Sequence, residues 1–261
     1  MPKIDLTNFT GSYYEINREE RNLAAILYHL LLTGNNLERF LKLLNSESLP
    51  FVKSEAAIYY EYAYLRDRWD KISSNDEKRS IILDRLDPAN KDRLNICPKL
   101  EFNEYFGAVP ASSVYIQSPA TWSIKRFKDP GLSNEEFLKI CKFKWAFKIK
   151  PDIVVQRSKR SAICIECKLA SSEGSYPAAP EEKKEFADRK LPYVKQKDMQ
   201  IYLMEDLLKL ESVVYVFIQE NQKQKTGKYN PLTWKRVFAE LDTGNQQDFL
   251  EKWIERIKDG H

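Results

Sequence analysis

Residues 145–169 read WAFKIKPDIVVQRSKRSAICIECKL, and this stretch decides the fold. It contains two runs rich in β-branched and aromatic residues, separated by the short polar segment 156–161. Two such runs joined by a basic turn are typical of an antiparallel β-hairpin. We therefore predict a hairpin here, and its few charged residues become the first candidates for function.

Three charged residues at the ends of the hairpin strands share one parity. Side chains alternate between the two faces of a strand, so residues of equal parity lie on one face. Asp152, Glu166 and Lys168 have even numbers, whereas six hydrophobic residues of the same runs have odd numbers: Ile149, Ile153, Val155, Ile163, Ile165 and Cys167. Parity within each strand does not by itself join the strands, because the register decides which faces meet.

One allowed register brings the acids together. If Gln156 pairs with Ala162 across a loop of residues 157–161, Asp152 lies opposite Glu166 and Lys150 lies opposite the lysine at 168. Directly opposed side chains have Cβ atoms about 4.5–5.5 Å apart. Two carboxylates at that distance repel each other, so we expect a cation between them.

The residue types favour magnesium and phosphate chemistry. Mg²⁺ takes oxygen ligands, usually from one or two carboxylates together with water and substrate phosphate. Lys168, two residues beyond Glu166, can hold or activate a water molecule, or neutralise charge that develops on a phosphate. The pattern indicates hydrolysis of phosphodiester bonds. The alternative is a surface hairpin whose charged side chains are merely solvated.

At these residues the chain resembles the PD-(D/E)XK nuclease superfamily: Pro151-Asp152 matches the first half of its signature and Glu166-Cys167-Lys168 the second. The resemblance implies an α/β (α+β) fold, with a restriction-endonuclease-like mixed β-sheet core flanked by helices. It implies that Asp152 and Glu166 bind Mg²⁺, for which Mn²⁺ can substitute. It also implies that the Cys167 carbonyl assists and that Lys168 serves the attacking water.

A further acid is expected upstream. The helical period of residues 13–33 predicts a helix that Gly34 ends, and Glu20 falls close to its apolar stripe. A carboxylate there must emerge at the helix end or be paired, because burying a bare charge is costly. Many superfamily members place a glutamate on such a helix, and Glu20 is our candidate, with Glu19 second. The alternative is a carboxylate that the helix dipole favours near the N-terminus.

Two glutamines could support the site from downstream. Residues 181–210 are predicted to be helical in two pieces broken near Pro192, and Gln196 and Gln200 share a face of the second piece. Several superfamily branches carry glutamines, or Gln-x-x-x-Tyr, on this helix. The residue four before Tyr202 is Asp198, so that motif is absent. Gln200 and Gln196 stay as supporting candidates, and exposed glutamines are the alternative.

Lysines before the hairpin suggest contact with a polyanion. Lys148 and Lys150 share the parity of Asp152, as do Lys142 and Lys144 if the strand begins that early. Lysines beside a metal site would bind a nucleic-acid backbone, and such binding weakens with salt. The alternative is an edge strand that its lysines protect from aggregation.

The remaining chain predicts one domain, 1–261, with an insertion or subdomain at about 73–134, where prolines punctuate short apolar runs. We predict helices at 36–45, 54–72, 73–87, 232–241 and 248–257, a short helix from Asn134, and an exposed basic loop at 221–228. The apolar run 212–219 predicts a central strand beside the hairpin, buried on both sides.

Composition narrows the function classes. The 42 basic and 38 acidic residues give a net charge of only +4, so a nucleic-acid surface must be a local patch. Only two histidines occur, which argues against histidine-rich zinc sites and serine triads. The N-terminus lacks an apolar signal region, and no run approaches the roughly 18 apolar residues of a membrane span. We expect a cytoplasmic protein without a membrane partner.

The four cysteines include the pair Cys164 and Cys167, whose spacing raises zinc or redox chemistry. On one strand these side chains point to opposite faces, so they cannot converge on one ion. Buried thiols are the favoured interpretation.

We therefore expect a Mg²⁺-dependent nuclease that acts as a DNA endonuclease, because most of the family acts on DNA. Many relatives serve in antiviral defence or in repair. We expect a homodimer or a regulatory protein partner. The alternative is a catalytically silent nucleic-acid-binding or assembly subunit that retains the nuclease fold.

Overall fold

The computed structural model describes residues 20–45, 56–127, 131–169, 173–220 and 228–244, with Glu20 as backbone only. Its helices are α1 (Glu20–Leu31), α2 (Asn36–Leu43), α3 (Tyr64–Lys71), α4 (Asn75–Leu86), α5 (Lys91–Ile96), α6 (Lys99–Tyr105), α7 (Asn134–Ala146), α8 (Pro180–Asp188), α9 (Gln196–Ile201) and α10 (Trp234–Glu240). Its strands are β1 (Ala57–Tyr60), β2 (Ile153–Ser158), β3 (Ser161–Cys167), β4 (Ser175–Tyr176), β5 (Val194–Lys195), β6 (Ser212–Gln219) and β7 (Tyr229–Thr233).

The chain forms two compact units. The sheet unit takes its described residues from 1–62, 151–172 and 210–261, and the helical unit consists of 63–150 and 173–209. The insertion predicted at about 73–134 therefore lies inside the helical unit.

A five-stranded mixed sheet organises the sheet unit, in the order β1-β2-β3-β6-β7. The first three strands are antiparallel, and β6 and β7 continue the sheet in parallel with β3. The predicted mixed α/β class is confirmed. The strand predicted at 212–219 is confirmed as β6, and it lies directly beside the hairpin.

The hairpin has the allowed register that brings the acids together, but a shorter turn. Gln156 pairs with Ala162. The strands then shift by one residue and pair Ser158 with Ser161, so Lys159 and Arg160 alone form the turn, instead of the predicted loop 157–161. The extra residue in β2 between the two pairs is a β-bulge, which bends the strand locally.

One face of the sheet carries the hydrophobic core. The odd-numbered residues of the hairpin pack with β6 and with α1, α2 and α10 in one cluster, which includes Leu23, Leu27, Phe40, Ile153, Val155, Ile163, Ile165, Cys167, Val216, Ile218 and Trp234. β3 is buried at every position. The alternation that the sequence predicted therefore separates a hydrophobic face from a second face that is buried as well.

Two predicted elements begin or end elsewhere. Trp145 belongs to α7, not to a strand, because a capping box between Ser133 and Glu136 starts a helix that runs to Ala146. The helix predicted at 54–72 is wrong in its first part, where residues 57–60 form the edge strand β1 against β2. Strand β7 was not predicted, and α10 begins only after it.

Other predicted helices agree with the structure or lie outside its described part. The helix after the Ser73–Asp76 cluster is α4, in which Ser74 accepts a hydrogen bond from the Glu77 amide. The pieces on either side of Pro192 are α8 and α9, and a π-helical turn at Tyr202–Leu207 follows α9. Residues 13–19, the predicted helix 248–257 and nearly all of the basic loop 221–228 lie outside the described residues.

Two asparagines organise the irregular part of the helical unit. The Asn103 amide donates to the carbonyls of Ser112 and Tyr115, at 2.8 Å each, and its oxygen accepts from the Gln117 amide. Asn75 accepts from the Ile116 amide at 2.7 Å. These bonds order a segment whose sequence shows no helical or strand period.

No helix in the described segments combines the length and the apolar character that crossing a bilayer requires.

Candidate functional site

The candidate site lies at one end of the sheet, where β2 begins and β3 ends. Continuing the hairpin register one residue beyond the pair of Ile153 and Ile165 places Asp152 opposite Glu166. The Asp152 carboxylate accepts a hydrogen bond from the Cys167 amide, with 2.7 Å between Oδ2 and N. This bond draws the carboxylate across to the end of β3.

Lys168 completes the group that the sequence predicted. Its ammonium lies 3.0 Å from Oε1 of Glu166, with side-chain exposures of 15% and 2%, respectively. The sequence also allowed a surface hairpin whose charged side chains are merely solvated. That alternative does not describe this site, because Glu166 is buried. The Lys168 backbone is held from two sides, since its amide donates to the Ile218 carbonyl and its carbonyl accepts from the Trp234 indole.

The pKa of the Cys164 thiol is affected by the acids on this face of the sheet. Burial raises its pKa well above the usual range, and the negative charges of Glu166 and Asp152 raise it further. Cys167 instead belongs to the hydrophobic core on the other face. The side chains of Cys164 and Cys167 thus point to opposite faces, as strand parity predicted. Their sulfurs therefore cannot bind one zinc ion or pair with each other in a redox centre.

The Cys167 backbone faces the neighbouring acid. Its amide donates to Asp152, and the amide and carbonyl of one strand residue point the same way, as the paired bonds of an antiparallel ladder require. The Cys167 carbonyl is therefore directed toward the β2 side, where Asp152 lies.

Sequence reasoning missed two residues beside this group, Tyr60 and Glu61, because it placed them in a helix. The Glu61 amide donates to the Asp152 carbonyl at 2.8 Å, and its carboxylate lies 2.7 Å from Nε of Arg21. Burial raises the pKa of Tyr60, and the charges of Glu61 and Asp152 add to this while Arg21 opposes it. The run Ala-Ile-Tyr-Tyr before a charged residue was the available signal for a strand end.

The structure describes little of the two glutamates that were predicted to supply a further acid from upstream. Glu20 is the first residue of α1, in the sheet unit, and its side chain lies outside the described part; Glu19 lies outside it altogether. Among the side chains that the structure describes, no three acids, cysteines or histidines converge as a metal-binding group. The acids that the structure describes at the candidate site are Asp152 and Glu166.

The lysine predictions need correction. Lys148 and Lys150 lie ahead of Pro151, and β2 begins at Ile153, so strand parity does not place them on the face of Asp152, nor Lys150 opposite Lys168. Both are exposed and belong to the helical unit. Lys142 and Lys144 lie within α7. Contact of Lys148 and Lys150 with nucleic acid stays a prediction.

The glutamines lie on α9, in the helical unit. Gln196 accepts a hydrogen bond from the Gly174 amide at 3.3 Å, which fixes the loop before β4. Gln200 is fully buried. Their support of the site stays a prediction.

The burial of the thiols leads to a test. All four cysteines are buried, and burial also raises the pKa of Cys141 far above its usual range. We expect a thiol reagent at pH 8 to modify the native protein at least about 100-fold more slowly than the denatured protein, because reaction requires opening of the structure. The absorbance of the coloured thiolate that an aromatic disulfide reagent releases measures both rates. Rapid modification of Cys164 or Cys167 in the native protein would revive the redox alternative.

Comparison with known proteins adds no identification: no family model, no curated protein and no solved structure matches the chain.

Proposed function

We propose that the protein is a Mg²⁺-dependent nuclease with a restriction-endonuclease-like core, and that it hydrolyses phosphodiester bonds of DNA. One observation carries the proposal: Asp152, directly before β2, and Glu166, on the antiparallel neighbour β3, stand at one end of the sheet, and the Lys168 ammonium lies 3.0 Å from Glu166. The mixed sheet, with α1 before three antiparallel strands and a parallel strand next, supports it.

The donor set fits magnesium. Two carboxylates and the Cys167 carbonyl are hard oxygen ligands, and Mg²⁺ commonly uses one or two carboxylates while waters and substrate phosphate complete its shell. When bound, Mg²⁺ would polarise the scissile phosphate and lower the pKa of a coordinated water. The Cys167 sulfur takes no part, because it packs in the core on the other face.

Each residue then has a distinct task. Asp152 is oriented by the Cys167 amide, so its second oxygen can bind the ion. Glu166 supplies the other charge from a buried position. The Lys168 backbone is hydrogen-bonded on both sides. Its ammonium can donate a hydrogen bond to the attacking water, or to a phosphate oxygen as negative charge develops there.

We place this activity on DNA, in defence against foreign DNA or in repair, with Mn²⁺ able to replace Mg²⁺. Cutting both strands of a duplex needs two sites, so a homodimer suits the proposal, and a regulatory partner could gate it. Glu20, as a third acid from α1, belongs to the same proposal. The resemblance alone supports the DNA substrate, the biological role and the assembly, whereas the geometry of the acids supports the metal site.

The test is direct. The purified protein is incubated with linear, circular and single-stranded DNA and with RNA, each with Mg²⁺, with Mn²⁺ or with chelator. We expect cleavage of DNA that either metal supports and that the chelator abolishes. Binding of DNA without cleavage in any metal would instead favour the catalytically silent subunit. Cleavage that persists in chelator would exclude the metal site as its source.

A further inference from the structure

The end of β1 holds the first turn of α1. The Tyr60 hydroxyl donates to the Arg21 carbonyl at 2.8 Å, and the Glu61 carboxylate pairs with the Arg21 guanidinium at 2.7 Å. The Glu61 amide in turn donates to the carbonyl of Asp152 at 2.8 Å. Three contacts thus link the start of α1 to the backbone of a candidate metal ligand, through two consecutive residues.

The backbone of Glu61 is unusual in a way that serves these contacts. Its φ of 47° lies in the left-handed region, which residues with a Cβ adopt rarely and at a cost in free energy. Simple alternation would place Glu61 on the face of Asp152, whereas α1 packs on the opposite face with Ile153. The left-handed turn breaks the alternation and lets the carboxylate reach Arg21.

The tyrosine contact is equally specific. Tyr60 pairs with Ile153 across the strands, and its ring packs beside Tyr28 of α1 with 5.7 Å between ring centroids. The ring supplies burial, while the hydroxyl alone reaches the Arg21 carbonyl. Removing the hydroxyl therefore tests the contact without removing the packing.

We propose that Tyr60 and Glu61 are positioning residues of the candidate metal site, which fix the first turn of α1, and with it the backbone of Glu20, at the Asp152 end of the sheet. The inference rests on the proposed function. Neither residue is assigned a contact with substrate. Residues that orient the ligands of a metal change its affinity, typically by about 10- to 100-fold when they are replaced.

The experiment compares Tyr60→Phe and Glu61→Gln with the wild type in two measurements. Calorimetric titration gives the affinity for Mn²⁺, and hydrogen exchange gives the protection of the amides of residues 24–26, which bond back to the first turn of α1. We expect each variant to lose about tenfold or more in Mn²⁺ affinity. We also expect exchange of these amides to become at least about tenfold faster.

Matched controls separate positioning from general loosening. Tyr59→Phe alters the preceding tyrosine, which is 37% exposed, and should change neither measurement. Exchanging the charges, with Arg21→Glu and Glu61→Arg together, should recover most of the affinity that either single change loses. Such recovery would show that the ion pair, and not either side chain alone, sets the affinity, and Tyr59→Phe controls for general loosening.

The outcomes distinguish the two proposals. If the wild type binds Mn²⁺ and cleaves DNA while Tyr60→Phe and Glu61→Gln keep its affinity and its exchange rates, the positioning role is overturned and the nuclease stands. If the wild type neither binds Mn²⁺ nor cleaves, the proposed function and the positioning role fall together.

Discussion

Replacing Lys168 with alanine should lower metal-dependent cleavage by about 10²- to 10⁴-fold, the usual worth of a positioned proton-transfer or charge-stabilising group. The reason is its place: the ammonium lies 3.0 Å from Glu166 at the end of β3, on a backbone held by Ile218 and Trp234. Initial rates of DNA cleavage in saturating Mg²⁺ measure the effect. Metal affinity should fall far less than the rate.

The control must account for the ion pair. Glu166 is 2% exposed in its side chain, so the alanine variant leaves a buried carboxylate without this partner and could unfold. Lys168→Gln keeps a hydrogen-bond donor and should also be inactive, and thermal melting shows that each variant is folded. Lys159→Ala, at the exposed hairpin turn, should keep full activity. Wild-type rates in Lys168→Ala would place the chemistry elsewhere.

A conservative variant of Asp152 tests whether its negative charge binds the cation. Asp152→Asn retains an oxygen that can accept the bond from the Cys167 amide, so the local structure should survive. It removes the negative charge that a cation needs. We expect Mn²⁺ binding to weaken at least about 10-fold in titration calorimetry. Unchanged binding would remove Asp152 from the ligand set.

The register of the hairpin was predictable because it depends on local features. Two β-branched runs, a short turn and the parity of the charged residues leave few pairings that bury the hydrophobic face. Gln156 pairs with Ala162, and continuing this register one residue beyond Ile153 and Ile165 places Asp152 opposite Glu166. The continuous apolar run that forms β6 was equally readable.

What sequence missed depends on partners far along the chain. Strand β1 forms because Ala57–Tyr60 pairs with β2, which lies beyond the whole segment 63–150. The apparent helical spacing across 54–72 gave no hint of this pairing. Glu61 then escaped notice, since its role comes from a left-handed backbone and from Arg21, neither of which the local sequence reveals.

The end of α7 shows the same limit. Lys144 has the parity of Asp152, and sequence alone allowed a lysine on an exposed strand. In the structure it lies within a helix and pairs with Glu182 of α8, 38 residues away. The Trp145 indole donates to the other oxygen of Glu182 at 3.0 Å. A buried partner so distant in sequence cannot be inferred from periodicity.

This buried pair leads to the largest stability effect that we expect. The side chains of Lys144 and Glu182 are 4% and 8% exposed, so Glu182→Ala leaves an ammonium and an indole donor buried without their acceptor. Removing one partner of a buried ion pair costs about 3–5 kcal/mol. Guanidinium unfolding followed by circular dichroism should show this loss in the free energy of unfolding of the helical unit.

A double variant tests the reason for that loss. With Lys144→Met and Glu182→Gln together, no charge remains buried at the pair, and the glutamine oxygen can still accept from Trp145. Replacing both members of a buried ion pair with uncharged residues often changes the free energy of unfolding little. We therefore expect the double variant to recover most of the loss of about 3–5 kcal/mol. Glu211→Ala breaks the exposed pair with Arg160 and should cost less than about 1 kcal/mol. If Glu182→Ala costs no more than this control, the ammonium reaches water, and the pair does not hold α7 to α8.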